Sequence, residues 1–266
     1  MYRAIQSRRH GGGAPGGLHP PGVVLCHDKR PLDFERASFE ALAMKFRSPF
    51  LPILFALLTV FSTSVFAADD APMVPTGRVE LFNGKDLTGW TFFMRNNADP
   101  KETWSVGDGV MKCTGKPTCY IRTEKSYRDY KLTAEWRFVK IAPKADNGGI
   151  LVHMQLPDKL WPPCIQCQGK HDAVGDLFLM GGAESKEHLG KDANTALPKK
   201  GESAEKPVGE WNTCELICKG TTVTVYVNGK LMNETTESTV SSGKIGFQCE
   251  GAQFEVRKVF IEPLKP

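Results

Sequence analysis

Little in this sequence repeats with the period of a helix. Beyond Ala68 no stretch of helical length places apolar residues three and four apart, and the best candidate, Glu184 to Leu189, is short and poorly patterned. That excludes a helical bundle and a doubly wound α/β fold. Excess charge of one sign is also missing. The whole chain carries +4, but eight of its 34 basic and four of its 30 acidic residues lie in 1–67, leaving 26 of each in 68–266. With no net charge and no basic stripe, nothing there argues for nucleic acid as a partner. A paired set of cysteines is missing as well. Seven lie beyond Ala68, at 113, 119, 164, 167, 214, 218 and 249, so at least one has no partner within the chain. Cys164 and Cys167 form a CxxC with neither a second pair nor a histidine at finger spacing, and read as two strand cysteines. Cys214 and Cys218 lie four apart on a predicted strand, roughly 13 Å at the usual rise, too far to bond each other. Cys113 and Cys119 flank the turn at 114–118 and are expected to face each other across a hairpin, the one disulfide the spacing suggests.

What is present begins with a leader. From Met44 the chain reads MKFRSPFLPILFALLTVFSTSVFAADD. Lys45 and Arg47 make a positive start, Phe50 to Val60 a mostly apolar middle, and Val65-Phe66-Ala67 a small-residue cleavage site. This is the pattern of a secretory signal peptide, too short and interrupted to span a membrane. No cysteine stands at the cleavage point for a lipid anchor. The expected organisation is a disordered segment or mis-assigned start at 1–43, a signal peptide at 44–67, a linker at 68–78 and one domain at 79–266. The domain is expected in the periplasm or outside the cell, and its length suits a single core.

Within that domain the period is two. In KLTAEWRFV (131–139) Leu132, Ala134, Trp136 and Phe138 share one face, and Thr133, Glu135 and Arg137 the other. TTVTVYV (221–227) is β-branched and runs into Asn228-Gly229, a strong hairpin signal. KIGFQCE (244–250) sets Ile245, Phe247 and Cys249 against Gly246, Gln248 and Glu250. A last strand runs from Phe254 to Ile261. Turn dipeptides recur at Asn83-Gly84, Lys219-Gly220 and Ser242-Gly243, and 191–208 reads as a polar surface loop. Many short strands with frequent turns predict an all-β, two-sheet sandwich.

NGGILVHMQLPDKLWPPCIQCQ (147–168) holds the candidate site. By alternation Ile150, Val152 and Met154 face one way, and Leu151, His153 and Gln155 the other. After the Trp161-Pro162-Pro163 loop, Ile165 and Cys167 oppose Cys164, Gln166 and Gln168. One face is apolar; the other carries a histidine and several amides.

LFNGKDLTGW (81–90), WSVGDGV (104–110), YIRT (120–123), YRDYKL (127–132), EWR (135–137), NGGI (147–150), His153, Trp161-Pro162, Gly175-Asp176, GEWN (209–212), VNG (227–229) and GKIGFQCEG (243–251) occur in that order. The ordered set resembles the bacterial 3-keto-disaccharide hydrolase domain family, formerly a domain of unknown function. The resemblance covers about 185 residues. It implies a concanavalin A-like jelly roll and, as substrate, glycosides whose glucose unit is a ketone at C3. Two positions depart from the family's pattern. Gly148 stands where Ser is common, and Gln166 where Glu is common. Gln bonds a hydroxyl but carries no proton at neutral pH.

A ketone at C3 makes the C2 proton acidic, so a base can drive elimination across C1–O1, and water can then add. The expected catalytic residues are His153, which titrates near neutrality, Glu135 as alternative base and Arg137 as partner of the enolate oxygen. Gln166, Gln168, Asp176, Trp161, Gln248 and Glu250 are the expected substrate contacts. A divalent cation is the alternative electrophile, with Glu135, His153 and Asp176 as candidate ligands, though no spacing compels it. A paired-carboxylate glycosidase needs two acids across the bond, where only Glu135, with Glu250 as a candidate second, is placed. Against each role stands a plainer one: a structurally bonded His153, a cross-strand ion-pair ladder for Glu135 and Arg137, a turn residue for Asp176, a core-edge cover for Trp161. At the level of the whole protein, a non-catalytic sugar-binding sandwich is the alternative to an enzyme.

Overall fold

The computed structural model describes residues 71–140 and 147–265. The expected signal peptide and the segment before it lie outside the described residues. In chain order the strands are β1 (Val79–Glu80), β2 (Trp90–Met94), β3 (Trp104–Gly107), β4 (Val110–Cys113), β5 (Cys119–Thr123), β6 (Tyr130–Lys140) and β7 (Asn147–Met154). They continue with β8 (Cys164–Gln168), β9 (Leu177–Met180), β10 (Asn212–Lys219), β11 (Thr222–Val227), β12 (Lys230–Thr235), β13 (Lys244–Glu250) and β14 (Gln253–Pro263). They form two antiparallel sheets. The larger runs β12-β11-β10-β6-β14-β4-β3 with β1 also on β14; the smaller runs β2-β5-β13-β7-β8-β9. Among the described residues there is no α-helix, and no helix long and apolar enough to cross a membrane. Glu184 to Leu189 folds as turns.

The main core lies between the sheets. Leu132, Ala134, Trp136 and Phe138 of β6 and Cys214, Leu216 and Cys218 of β10 meet Ile121, Ile150, Val152, Ile165, Cys167, Phe247 and Cys249 of the smaller sheet. Each fully buried aliphatic or aromatic side chain contributes roughly 1.5–3 kcal/mol. The alternation in 131–139, 221–227 and 244–250 therefore holds.

The two sheets differ in what covers them. β10 and β11 alternate buried and half-buried positions, as a sheet with one wet face does. All five residues of β8 are buried. At Cys164 the cover is a second cluster on the outer face of the smaller sheet, in which Tyr120, Leu151, Met154 and Cys164 pack with Phe93, Trp161 and Met180. Cys164 and Cys167 thus point into different clusters, which fits two strand cysteines and not a shared metal.

Two expectations fail. Cys113 ends β4 in the larger sheet, whereas Cys119 starts β5 in the smaller one, so 114–118 crosses between sheets and closes no hairpin. Both are free thiols. The second failure is at His153. Opposite β7, Lys244 pairs with Met154 and Gly246 with Leu151, so Val152 and His153 together face Ile245. This is a β-bulge, with His153 at φ +54. The extra residue reverses the alternation: Met154 joins the outer cluster, and His153 turns into the interior.

Candidate functional site on the outer face of the smaller sheet

The strand register builds this face. Phe93 of β2 pairs with Tyr120 of β5, Tyr120 with Gln248 of β13, Gln248 with Gly149 of β7, and Gly149 with Gln168 of β8. The next row runs Thr91, Arg122, Gly246, Leu151, Gln166 and Phe178. Two strands distant in sequence, β8 and β13, thus place three glutamines on one surface.

A directed chain of hydrogen bonds joins them. Gln166 Nε2 donates to Gln248 Oε1 at 2.6 Å, and Gln248 Nε2 donates to Glu250 Oε2 at 2.9 Å. Asn147 Nδ2 donates to the same carboxylate oxygen at 2.6 Å. Gln166 Nε2 also lies 3.1 Å from Gln168 Oε1, which accepts from the Gly169 and Lys170 amides. The span from β8 to β13 needs a gap in β7, and Gly149 supplies it. A Cβ there would sit 2.7 Å from Gln166 Nε2 and 2.9 Å from the Cys167 carbonyl oxygen.

Burial raises the Glu250 carboxyl above its usual range, and the Asn147 hydrogen bond offsets that only in part. Both of its hydrogen bonds fall on Oε2, which leaves Oε1 for another partner. Asn147 Oδ1 is buried without a protein partner. The face therefore combines a carboxyl of raised pKa with amide oxygens and N–H groups.

Beside the amides, Asp158 is held from the sheet. Arg122 Nε donates to its Oδ1 at 2.8 Å and Nη2 to its Oδ2 at 2.7 Å, and the Tyr120 hydroxyl donates to Oδ1 at 2.8 Å. The Arg122 guanidinium is the main cause holding the Asp158 carboxyl below its usual range. Burial foremost, then the Asp158 bond, pushes the Tyr120 hydroxyl well up. This clamp fixes the 155–163 loop over the outer cluster, with Trp161 packed beside it. Sequence reading did not single out Asn147, Tyr120, Arg122 or Asp158 as site residues. The i, i+2 spacing of Tyr120 and Arg122 along YIR was available, but only the pairing of β5 with β13 puts Tyr120 beside Gln248 and Arg122 beside Gly246.

The remaining sequence-predicted residues are elsewhere. Glu135 and Arg137 lie on the outer face of the larger sheet. Glu135 accepts from Arg257 at 2.6 Å and Lys258 at 2.7 Å, and Arg137 pairs with Glu255 at 2.7 Å while its guanidinium covers Trp211. The ion-pair ladder is what these residues form. His153 is fully buried, edge-on to Tyr130, with Nδ1 3.2 Å from the Val240 carbonyl oxygen. Burial depresses its pKa to about 4, so it is neutral at pH 7. Asp176 accepts the Lys199 amide at 2.9 Å and faces the Lys199 ammonium at 3.6 Å. Glu135, His153 and Asp176 thus point to an outer face, the interior and a loop lysine, and do not converge on a cation. Among the described residues the one grouping with metal-ligand spacing is His171, Asp172 and Glu205.

A model of the 3-keto-alpha-glucoside-1,2-lyase-like domain matches residues 77–262. The chain belongs to that family. The match takes in the whole sandwich and every residue of the amide face. No protein of curated function matches the chain. Among solved structures, a Parabacteroides distasonis protein provisionally described as a glycosyl hydrolase is 26% identical, covering 71% of this chain and 94% of its own at a TM-score of 0.53. A second such protein from the same organism is 21% identical over 70% of this chain and 99% of its own, at 0.51. A structure from work on endo-acting O-glycanases of the human gut microbiota is 12% identical over 73% of this chain and all of its own, at 0.53. The last two speak to the fold alone. A fold by itself assigns no reaction.

Proposed function

We propose that this is an exported enzyme that cleaves the glycosidic bond of 3-keto-glycosides by elimination and hydration, with Glu250 as its proton carrier. The observation that carries the reading is the state of Glu250: a half-buried carboxyl, raised in pKa, whose Oε1 is open while amides hold Oε2. In this reading Oε1 takes the C2 proton, and an amide N–H of Gln168 meets the charge developing on the C3 oxygen. The C1–O1 bond breaks, Glu250 returns its proton to the departing oxygen, and water adds at C1 of the unsaturated ketone. The other candidate acid on this face, Asp158, is tied to Arg122. One free carboxyl suits elimination, which can recycle a single proton, better than a glycosidase with two acids. Asn147, Gln166, Gln168 and Gln248 are the sugar contacts, and Trp161 flanks them. The leader pattern at 44–67 supports export.

A second reading is a sugar-binding sandwich without chemistry. Gln166 favours it, because an amide stands where relatives commonly carry an acid. The test offers the full chain a chromogenic 3-keto-glucoside and, separately, the unoxidised glucoside. Release from the keto compound alone, lost in Glu250→Gln, is expected. Release from both compounds would indicate an ordinary glycosidase. Saturable sugar binding without release would indicate the binding module. Release unaffected by Glu250→Gln would remove Glu250 from the reaction.

A further inference from the structure

The two strands that carry the amide face share an unused feature on their inner side. Gln166 and Gln168 flank Cys167, and Gln248 and Glu250 flank Cys249. Because strand side chains alternate, each of these thiols points directly away from the polar face into the core. Cys167 is 1% exposed, and so is Cys214 on β10 of the opposite sheet. Both line the same cavity of about 30 Å³ between the sheets. The two thiols lie near enough to shift each other's titration, and the Trp136 indole N–H donates to Cys214 Sγ at 3.2 Å. The other cysteines are placed differently. Cys164 lies in the outer cluster, and Cys249 is engaged by both Cys113 and Cys119.

We propose that Cys167 and Cys214 are an oxidisable pair that closes a disulfide between the two sheets, directly behind the glutamines of β8. The bond would tie β8 to β10 and fix the depth at which Gln166 and Gln168 stand on the opposite face. Closure is a two-electron oxidation by thiol–disulfide exchange, and the oxidant is itself a disulfide, of a small molecule such as oxidised glutathione or of an oxidoreductase. One thiol loses its proton and its sulfur attacks the oxidant's S–S bond, releasing a thiolate. The second then attacks the mixed disulfide and expels the other thiolate. Two thiols are oxidised and one disulfide is reduced to two thiols. Because both sulfurs are buried in the closed sandwich, exchange belongs to folding, before the sheets meet. The inference does not depend on the proposed reaction.

The test refolds the full chain in a redox mixture of oxidised and reduced glutathione, and in parallel under reductant alone. After denaturation and alkylation of free thiols, tryptic peptides are read by mass spectrometry. The expected product joins the peptide with Cys164 and Cys167 to the one with Cys214 and Cys218, and fragmentation assigns the bond to Cys167 and Cys214. The oxidised protein is expected to melt about 5–10 °C above the reduced one. That difference should vanish alike in Cys167→Ala, Cys214→Ala and the double variant. Alkylation of both cysteines after oxidative refolding, or a bond from either to another cysteine, would overturn the proposal. So would a melting difference that survives in the double variant. If the variants do not fold, the peptide map of the unaltered chain decides.

Discussion

The outer faces of the two sheets are built by the same alternation and end up chemically unlike. On the larger sheet every prominent charge has an opposite neighbour across a strand: Glu135 with Arg257 and Lys258, Arg137 with Glu255, Lys131 with Glu215. These pairs are partly open to water, and such pairs contribute ~0–1 kcal/mol each. On the smaller sheet the polar groups are amides around one carboxyl, and a loop clamped by Arg122 and Asp158 packs on the apolar cluster beside them. Charges on an open face satisfy one another. Buried neutral amides leave donors and acceptors for a ligand and alter the pKa of the acid they hold. Polarity alone does not mark a site; a site needs polar groups that the protein has not already used.

That contrast can be broken most sharply at Glu250. Replacement by Gln keeps the shape and the contact with Asn147 but removes the exchangeable proton. We expect kcat on a 3-keto-glucoside to fall about 10²–10⁴-fold with the fold intact, measured by aglycone release. The next effect tests the displaced histidine. The folded protein holds His153 at about 4, below its ordinary 6.5. Between those values the unfolded chain binds a proton that the folded chain refuses. The stability present above pH 6.5 is therefore lost as pH falls toward 4, by on the order of 3 kcal/mol. Urea titrations at pH 7 and pH 4 should show that loss, and His153→Gln should show markedly less of it. A catalytic His153 on the outer face would show no such loss.

A smaller effect is expected at the centre of the amide face. Gly149→Ala drives a methyl against Gln166 and the Cys167 carbonyl, so Gln166 must withdraw from Gln248. Destabilisation of about 1–3 kcal/mol is expected, and KM should rise more than kcat falls. Stability and activity both unchanged would show that the amide chain is not assembled as described. The smallest effect belongs to the other sheet. Glu135→Gln should cost about 1 kcal/mol or less in denaturant melts and leave turnover unchanged. A loss of turnover there would move the site to the opposite face.

The register of hydrophobic alternation was legible because it is local: neighbouring side chains on an extended chain point to opposite sides wherever the strand lies. It placed Trp136, Cys167 and Phe247 in the core, and Gln166, Gln168 and Gln248 together in kind. The asymmetric cover, the inter-sheet crossing at 114–118 and the Asp158 clamp were not legible, because each depends on which distant strands become neighbours. The bulge at His153 is the clearest case. One extra residue opposite Ile245 turns a predicted catalytic base into a buried neutral ring, and strand pairing shows it where composition does not. The sequence by itself determined a β-sandwich with one amide-rich strand pair, since period and residue type are properties of short segments. Tertiary structure alone decided that Glu250, not His153 or Glu135, stands among those amides with its pKa raised, since burial and partners exist only once the sheets have formed.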